Sequence, residues 1–162
     1  MKVYELYYKG MYGVSVRIVG DAMEAEDIMQ ESFLIAFNHL KNTDLTVSFG
    51  GWLKKIVINK SLDAIRKRKA FFAQVEDLPD VPDESWGEGE TDLTTEQKVA
   101  QIKRAMDLLP DKYRIILVLN LLEGYDHEEI SEILDIQPST SRAQLSRGKK
   151  LLRKIINSNG NE

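Results

Sequence analysis

The segment from Leu78 to Thr95 reads LPDVPDESWGEGETDLTT, and it restricts the fold more than any other feature of the chain. Two prolines and two glycines make it a poor helix, and its dense carboxylates give a strand nothing to bury. It reads as a flexible linker. The chain is thereby divided into a first domain at 1–71, an acidic linker at 72–94 and a second domain at 95–162. Each domain has roughly 70 residues, near the lower limit for a self-sufficient core.

Both halves carry helical periodicity. Val3, Leu6, Tyr7, Met11, Val14 and Ile18 step by three and four, which predicts one apolar helix face. Gly20 ends that helix, and Asp21 with Glu24 forms a capping pair for the next. The second helix is expected to turn Ala25, Ile28, Met29, Ala36, Phe37 and Leu40 inward. A loop over Lys41 to Ser48 follows, with Asn42, Thr43 and Asp44 as turn formers. A third helix is expected from near Gly51 to about Lys69, with Trp52, Ile56 and Ile65 buried. The second half predicts four short helices: 95–109 ending at Pro110, 111–122 ending at Gly124, one capped by Asp126 and ending near Leu134, and a basic one from Ser139 to about Ile156. No stretch alternates with period two over a useful length. The expected fold class is all-α, without a sheet.

Charge is unevenly spread. The net charge is −4, yet Lys54 to Lys69 holds seven basic residues against one acid, Asp63. Arg142 to Lys154 holds six basic residues and no acid, whereas Phe71 through Glu96 holds nine acids and no Lys or Arg. Local potential, more than net charge, decides where a polyanion docks.

A capped short helix, a turn over Asp135-Ile136-Gln137-Pro138 and a longer basic helix make a helix-turn-helix, whose second helix enters the major groove. At about 100° per residue, Ser141, Leu145, Gly148 and Leu152 form one inward stripe. Ser139, Thr140, Ala143, Arg147, Lys150 and Lys154 lie opposite, flanked by Arg142 and Gln144. Hydroxyls at the helix start suit phosphate, together with the free N–H groups there. Arg147 is the candidate for a bidentate guanine contact, and Ala143 is small enough for close approach to a base edge.

The other basic patch has a different character. Lys55 and Asn59 share a helix face at i, i+4. With Trp52, Lys60 and the run Arg66, Lys67 and Arg68 they combine cations with an aromatic and an amide, which suits backbone tracking beside unstacked bases. On the second helix Asp27, Gln30 and Glu31 form a polar ridge that periodicity alone reads as exposed surface.

Several function classes are disfavoured by composition. A hydrophobic content of 43% with 30% charged residues is that of a folded globular protein. No apolar run is long enough to span a bilayer, and the N-terminus lacks signal-peptide character, so a cytoplasmic protein is expected. With no cysteine and only His39 and His127, far apart, neither a metal site nor a cofactor is expected. No nucleophile–base pair is evident, so no enzymatic activity is expected.

Three segments resemble one family, the extracytoplasmic-function group of sigma-70-type transcription initiation factors. AEDIMQESF resembles its core-polymerase-binding segment and FGGWLKKIVINKSLDAIRKRK its −10 recognition and melting segment. LPDKYRIILVLNLLEGYDHEEISEILDIQPSTSRAQLSRGKKLLRK resembles its −35-binding helix-turn-helix. The likeness covers nearly the whole chain, in order, with the acidic linker in its place. It implies that Asp27, Gln30 and Glu31 contact the clamp helices of the polymerase largest subunit. It implies that Trp52 to Lys69 engages and opens the −10 element, with Asn59 near a flipped base. The linker would thread toward the RNA exit path, and the C-terminal domain would rest on the polymerase flap while its last helix reads the −35 element. Core RNA polymerase, promoter DNA and an anti-sigma factor are the implied partners. The chain departs from the family pattern where Asp135 stands in place of Gly and Ser141 in place of an apolar residue, usually Val. Gln144 and Ser146 likewise replace commonly basic or aromatic-basic residues. Asp tolerates the left-handed conformation, so the turn is expected to survive. The alternative is a stand-alone helix-turn-helix regulator, which predicts a dimerisation surface or effector pocket that no heptad or third domain supplies.

Overall fold

The computed structural model describes residues 2–42, 48–71 and 93–159. The expected linker at 72–94 therefore lies outside the described residues except for Leu93 and Thr94, as do Thr43 and Asp44 of the expected loop. The helices are α1 (Lys2–Val19), α2 (Ala22–His39), α3 (Phe49–Phe71), α4 (Thr95–Asp107), α5 (Asp111–Leu117), α6 (His127–Leu134) and α7 (Pro138–Asn159). A π-helical turn, Val118–Leu122, extends α5. Among the described residues there is no strand, so the fold is all-α. The chain falls into two compact units, Met1–Glu76 and Asp77–Glu162.

In the first unit each of α1, α2 and α3 packs on the other two. Gly20, at φ +74°, closes α1 in the left-handed region that glycine adopts without strain. Asp21 then caps α2, accepting the Glu24 N–H at 2.8 Å, as the sequence predicts. Ile18, Met29, Leu53 and Ile58 are completely or almost completely buried. A buried polar pair joins α1 to α3, with Ser15 Oγ 3.0 Å from Ser61 Oγ, and the Ser61 hydroxyl also bonds the Val57 carbonyl.

Three expectations about this core need correction. Val3 and Leu6 are exposed; Tyr4, Tyr8 and Tyr12 join the expected Tyr7 and Met11 in packing against the cluster of Met29, Phe33, Ala36, Leu53 and Val57. Aromatic rings bury more area than aliphatic side chains, and Tyr4, Tyr8 and Tyr12 at spacing four bring rings together at 5.0 and 5.8 Å. Burial, with Tyr4, Glu26 and Tyr12 close by, raises the Tyr8 phenol above its ordinary value. Phe37 is exposed, because the buried stripe of α2 runs through Ala25, Met29, Ser32, Phe33 and Ala36. On α3, Ile65 is buried as expected, but Trp52 and Ile56 are only half-buried; the stripe of Leu53, Val57, Ser61 and Ile65 takes the core.

In the second unit α7 packs against α4, α5 and α6. Thr94 and Gln97 form a reciprocal capping box at the start of α4. Ile116, Leu117, Leu119 and Ile130 are fully buried. A Cβ on Gly148 would lie 3.4 Å from Tyr113 Cβ and 3.5 Å from Leu117, ordinary contact distances, so α7 lies directly against α5 at this position. The expected helix 111–122 is not uniformly α. Its last turn widens, Glu123 N–H bonding the Val118 carbonyl, and Gly124 at φ +75° ends it.

Candidate functional site

The helix-turn-helix is built as the sequence predicts. Asp126 caps α6 by accepting the Glu129 N–H at 2.8 Å. At the other end Asp135 sits at φ 55°, ψ 51°, and is the non-glycine residue with positive φ among the described residues. Its N–H bonds the Ser131 carbonyl, and Ile136 N–H bonds the same carbonyl at 3.1 Å, which is a Schellman-type closure. Leu134 and Ile136 pack onto the core of Leu109, Ile116, Leu117 and Leu145 and so anchor the turn. The second helix starts one residue before the expected Ser139, at Pro138, where a missing N–H costs nothing.

The two faces of α7 follow the predicted wheel. Ser141, Leu145 and Gly148 are buried and Leu152 is half-buried. Ser139, Arg142, Ala143, Arg147 and Lys154 are exposed; Thr140, Gln144 and Lys150 are partly so. The outward side thus presents cations and small polar groups along one unbroken helix with no acid between Arg142 and Lys154. Such a surface can meet phosphates along its length and base edges at its centre.

On α3 the predicted residues separate into three directions. Trp52, Lys55, Asn59 and Arg66 fall within about 60° of one another around the helix, and Lys55, Asn59 and Arg66 are exposed. Trp52 is half-buried, with its ring 5.9 Å from that of Phe49. Asp63 shares this stripe and pairs with Arg66 at 3.3 Å. Lys60 and Lys67 point elsewhere, into a groove of about 470 Å³ between α2 and α3. Arg68 turns further round. Its Nη2 donates to the Val19 carbonyl at 2.7 Å and lies 3.4 Å from Glu24 Oε2, so it ties the end of α3 to the end of α1 and the start of α2.

The groove brings together residues that the sequence presents as separate sites. Asp27 and Glu31 line its α2 wall with Glu24; Lys60, Asp63, Lys67 and Arg68 line its α3 wall; Ile28 and Ala64 complete it. Lys60 Nζ is 3.4 Å from Glu31 Oε2. Gln30 is exposed beside this groove on the same helix. In the sequence Glu24 stands out only as a capping residue and Asp63 only as the one acid of the basic run; Asp63 pairs with Arg66 at a spacing of three that a helix makes legible, whereas Glu24 finds Arg68 on another helix.

Residues 3–71 match the family described as Sigma-70 region 2, and residues 100–152 match Sigma-70, region 4. The chain is 30% identical to the ECF RNA polymerase sigma factor SigW of Bacillus subtilis, over 95% of this chain and 87% of that relative. It is 31% identical to the ECF RNA polymerase sigma factor SigE of Mycolicibacterium smegmatis, over 94% of this chain and 59% of that one. Among solved structures it is similar in fold to the sigma factor RpoE in complex with the anti-sigma factor NepR from Bartonella quintana. The TM-score is 0.63 at 19% identity, covering 96% of this chain and 95% of the other.

Proposed function

This chain belongs to the extracytoplasmic-function group of sigma-70 RNA polymerase sigma factors, and from that premise we propose that its two units divide promoter recognition between them. It is a transcription initiation factor. The first unit docks on core RNA polymerase through Asp27, Gln30 and Glu31 and engages the −10 element through Trp52, Lys55, Asn59, Lys60, Arg66 and Lys67. The second unit reads the −35 element with Ser139, Thr140, Arg142, Ala143, Gln144, Arg147, Lys150 and Lys154. An anti-sigma protein is a further partner, by analogy with the complex of the structural neighbour RpoE with the anti-sigma factor NepR. The protein works in the cytoplasm, beside its polymerase, and catalyses no reaction of its own. Among the described residues no helix is long and apolar enough to cross a membrane, and no cluster of metal-ligating side chains occurs.

The observation that carries this reading is α7, whose outward face is basic along its central length while its inward face is small and apolar enough to seat on α5. The match of the first unit to region 2 argues against a stand-alone regulator, which would have no use for it. The test pairs assembly with activity. Core polymerase supplied with the chain should initiate at start sites mapped after forced expression. Replacing Asp27 and Gln30 together by Ala should abolish co-purification with core while leaving helix content intact. Assembly of that double variant at wild-type affinity would return the ridge to ordinary solvated surface.

A further inference from the structure

The inward stripe of α7 holds one polar side chain where packing alone favours an apolar one. Ser141 is completely buried, and its Oγ lies 2.9 Å from Nδ1 of His127. His127 is the first residue of α6, half-buried, and 14 positions earlier in the chain. The bond therefore spans the helix-turn-helix and joins the start of its first helix to the first turns of its second.

A buried hydroxyl is costly unless bonded, and Nδ1 of His127 supplies a partner from the neighbouring helix. The form of the contact also matters. Apolar contact tolerates small rotations and slides of one helix on another, because it depends on area and not direction. A hydrogen bond weakens steeply with angle and distance. Near the start of the stripe only Leu145 otherwise interlocks with the core, since Gly148 has no side chain and Leu152 lies two turns beyond Leu145. Ser139, Thr140, Arg142 and Ala143 flank Ser141 on the same rigid helix and move with it.

We propose that His127 and Ser141 are a positioning pair which fixes the rotation and axial register of α7, and thereby sets base preference at the −35 element. The proposal rests on the reading of α7 as the −35 helix. It assigns a role in specificity to two residues outside the outward face of α7.

The test uses holoenzyme assembled from core polymerase and the full chain. Competition binding against a panel of single-base −35 variants gives a discrimination ratio, measured beside core co-purification, the salt slope and Tm. His127→Leu removes the bond. His127→Asn keeps a hydrogen-bonding atom on Cγ, where Nδ1 sits. The double variant His127→Leu/Ser141→Val replaces both partners by apolar groups and leaves no buried polar atom unpaired, so it folds even where the single variant does not. His127→Leu and the double variant should each lose about tenfold in discrimination, a fraction of what base-specific contacts supply, with core assembly and salt slope unchanged. His127→Asn should stay within about twofold of wild type by the same measure. The double variant should recover Tm yet remain poor at discrimination. If it discriminates as wild type does, the pair is only filling, and the proposal is overturned; so too if His127→Asn loses as much as His127→Leu. A wild-type holoenzyme indifferent to the −35 panel would sink the reading of α7 itself and the proposal with it, an outcome distinct from variants that match a discriminating wild type.

Discussion

Arg68 and Arg147 carry the same guanidinium within similarly basic runs, and the structure gives them opposite surroundings. Arg68 holds the Val19 carbonyl and Glu24 inside its own unit, whereas Arg147 is exposed at the centre of the outward face of α7. Arg68→Ala should therefore destabilise the protein by about 1 kcal/mol, the scale of a partly exposed charge-assisted bond. Thermal denaturation reads that loss, and the log–log salt slope for DNA should not move. A slope reduced by about one with Tm unchanged would make Arg68 a phosphate contact after all. Arg147→Ala should do the reverse: a loss of about 1–3 kcal/mol in specific binding and relaxed preference at one −35 base, with little change in Tm. An unchanged footprint and base preference would remove Arg147 from the readout. The sequence could not separate these two arginines. Arg68 finds its carbonyl partner 49 positions away, and nothing in a run of four cations marks which one folds inward.

At the scale of elements, what depends on local chemistry is legible and what depends on packing is not. The caps at Asp21 and Asp126 follow from a short carboxylate three residues before an N–H it can accept. The turn at Asp135 and the inward stripe of α7 follow from chain geometry alone. By contrast, the buried stripe of α3 is displaced by one residue from the expected Trp52 and Ile56, because α3 packs against two helices whose orientation no single helix encodes. The π-helical turn after α5 is equally silent in sequence. Leu121 and Leu122 complete an ordinary apolar pattern, yet both are exposed. The turn itself yields a prediction. Asp135 occupies a left-handed conformation that costs an L-residue about 1 kcal/mol or more relative to Gly, less for Asp than for most. Asp135→Gly should raise Tm slightly, and Asp135→Val should lower it clearly. Equal Tm for all three proteins would mean that the residue carries no strain and that the Schellman closure sets the turn by itself.

At the scale of the whole molecule, the net charge of −4 conceals two basic surfaces, one on each unit, and they differ in what accompanies the cations. On α7 the cations stand beside small hydroxyls and Ala143; on α3 Lys55 and Asn59 share a stripe with a half-buried tryptophan. If α7 reads duplex and α3 handles opened DNA, losses on the two surfaces should differ in kind. Neutralising Lys150 and Lys154 removes phosphate contacts, so duplex affinity should fall for every sequence and the log–log salt slope should shrink by about one per lost contact. Changing Lys55 and Asn59 to Ala should leave closed-complex binding nearly intact and reduce strand opening, because an amide and a cation beside an aromatic act on bases only once these are unstacked. Permanganate reactivity of promoter thymines, measured beside filter binding on the same holoenzyme, separates the two effects. Should the Lys55/Asn59 variant lose closed-complex affinity while its bound fraction opens normally, the α3 stripe is a second phosphate clamp. Strand opening would then have to be sought among other groups of the first unit, with half-buried Trp52 the first to replace.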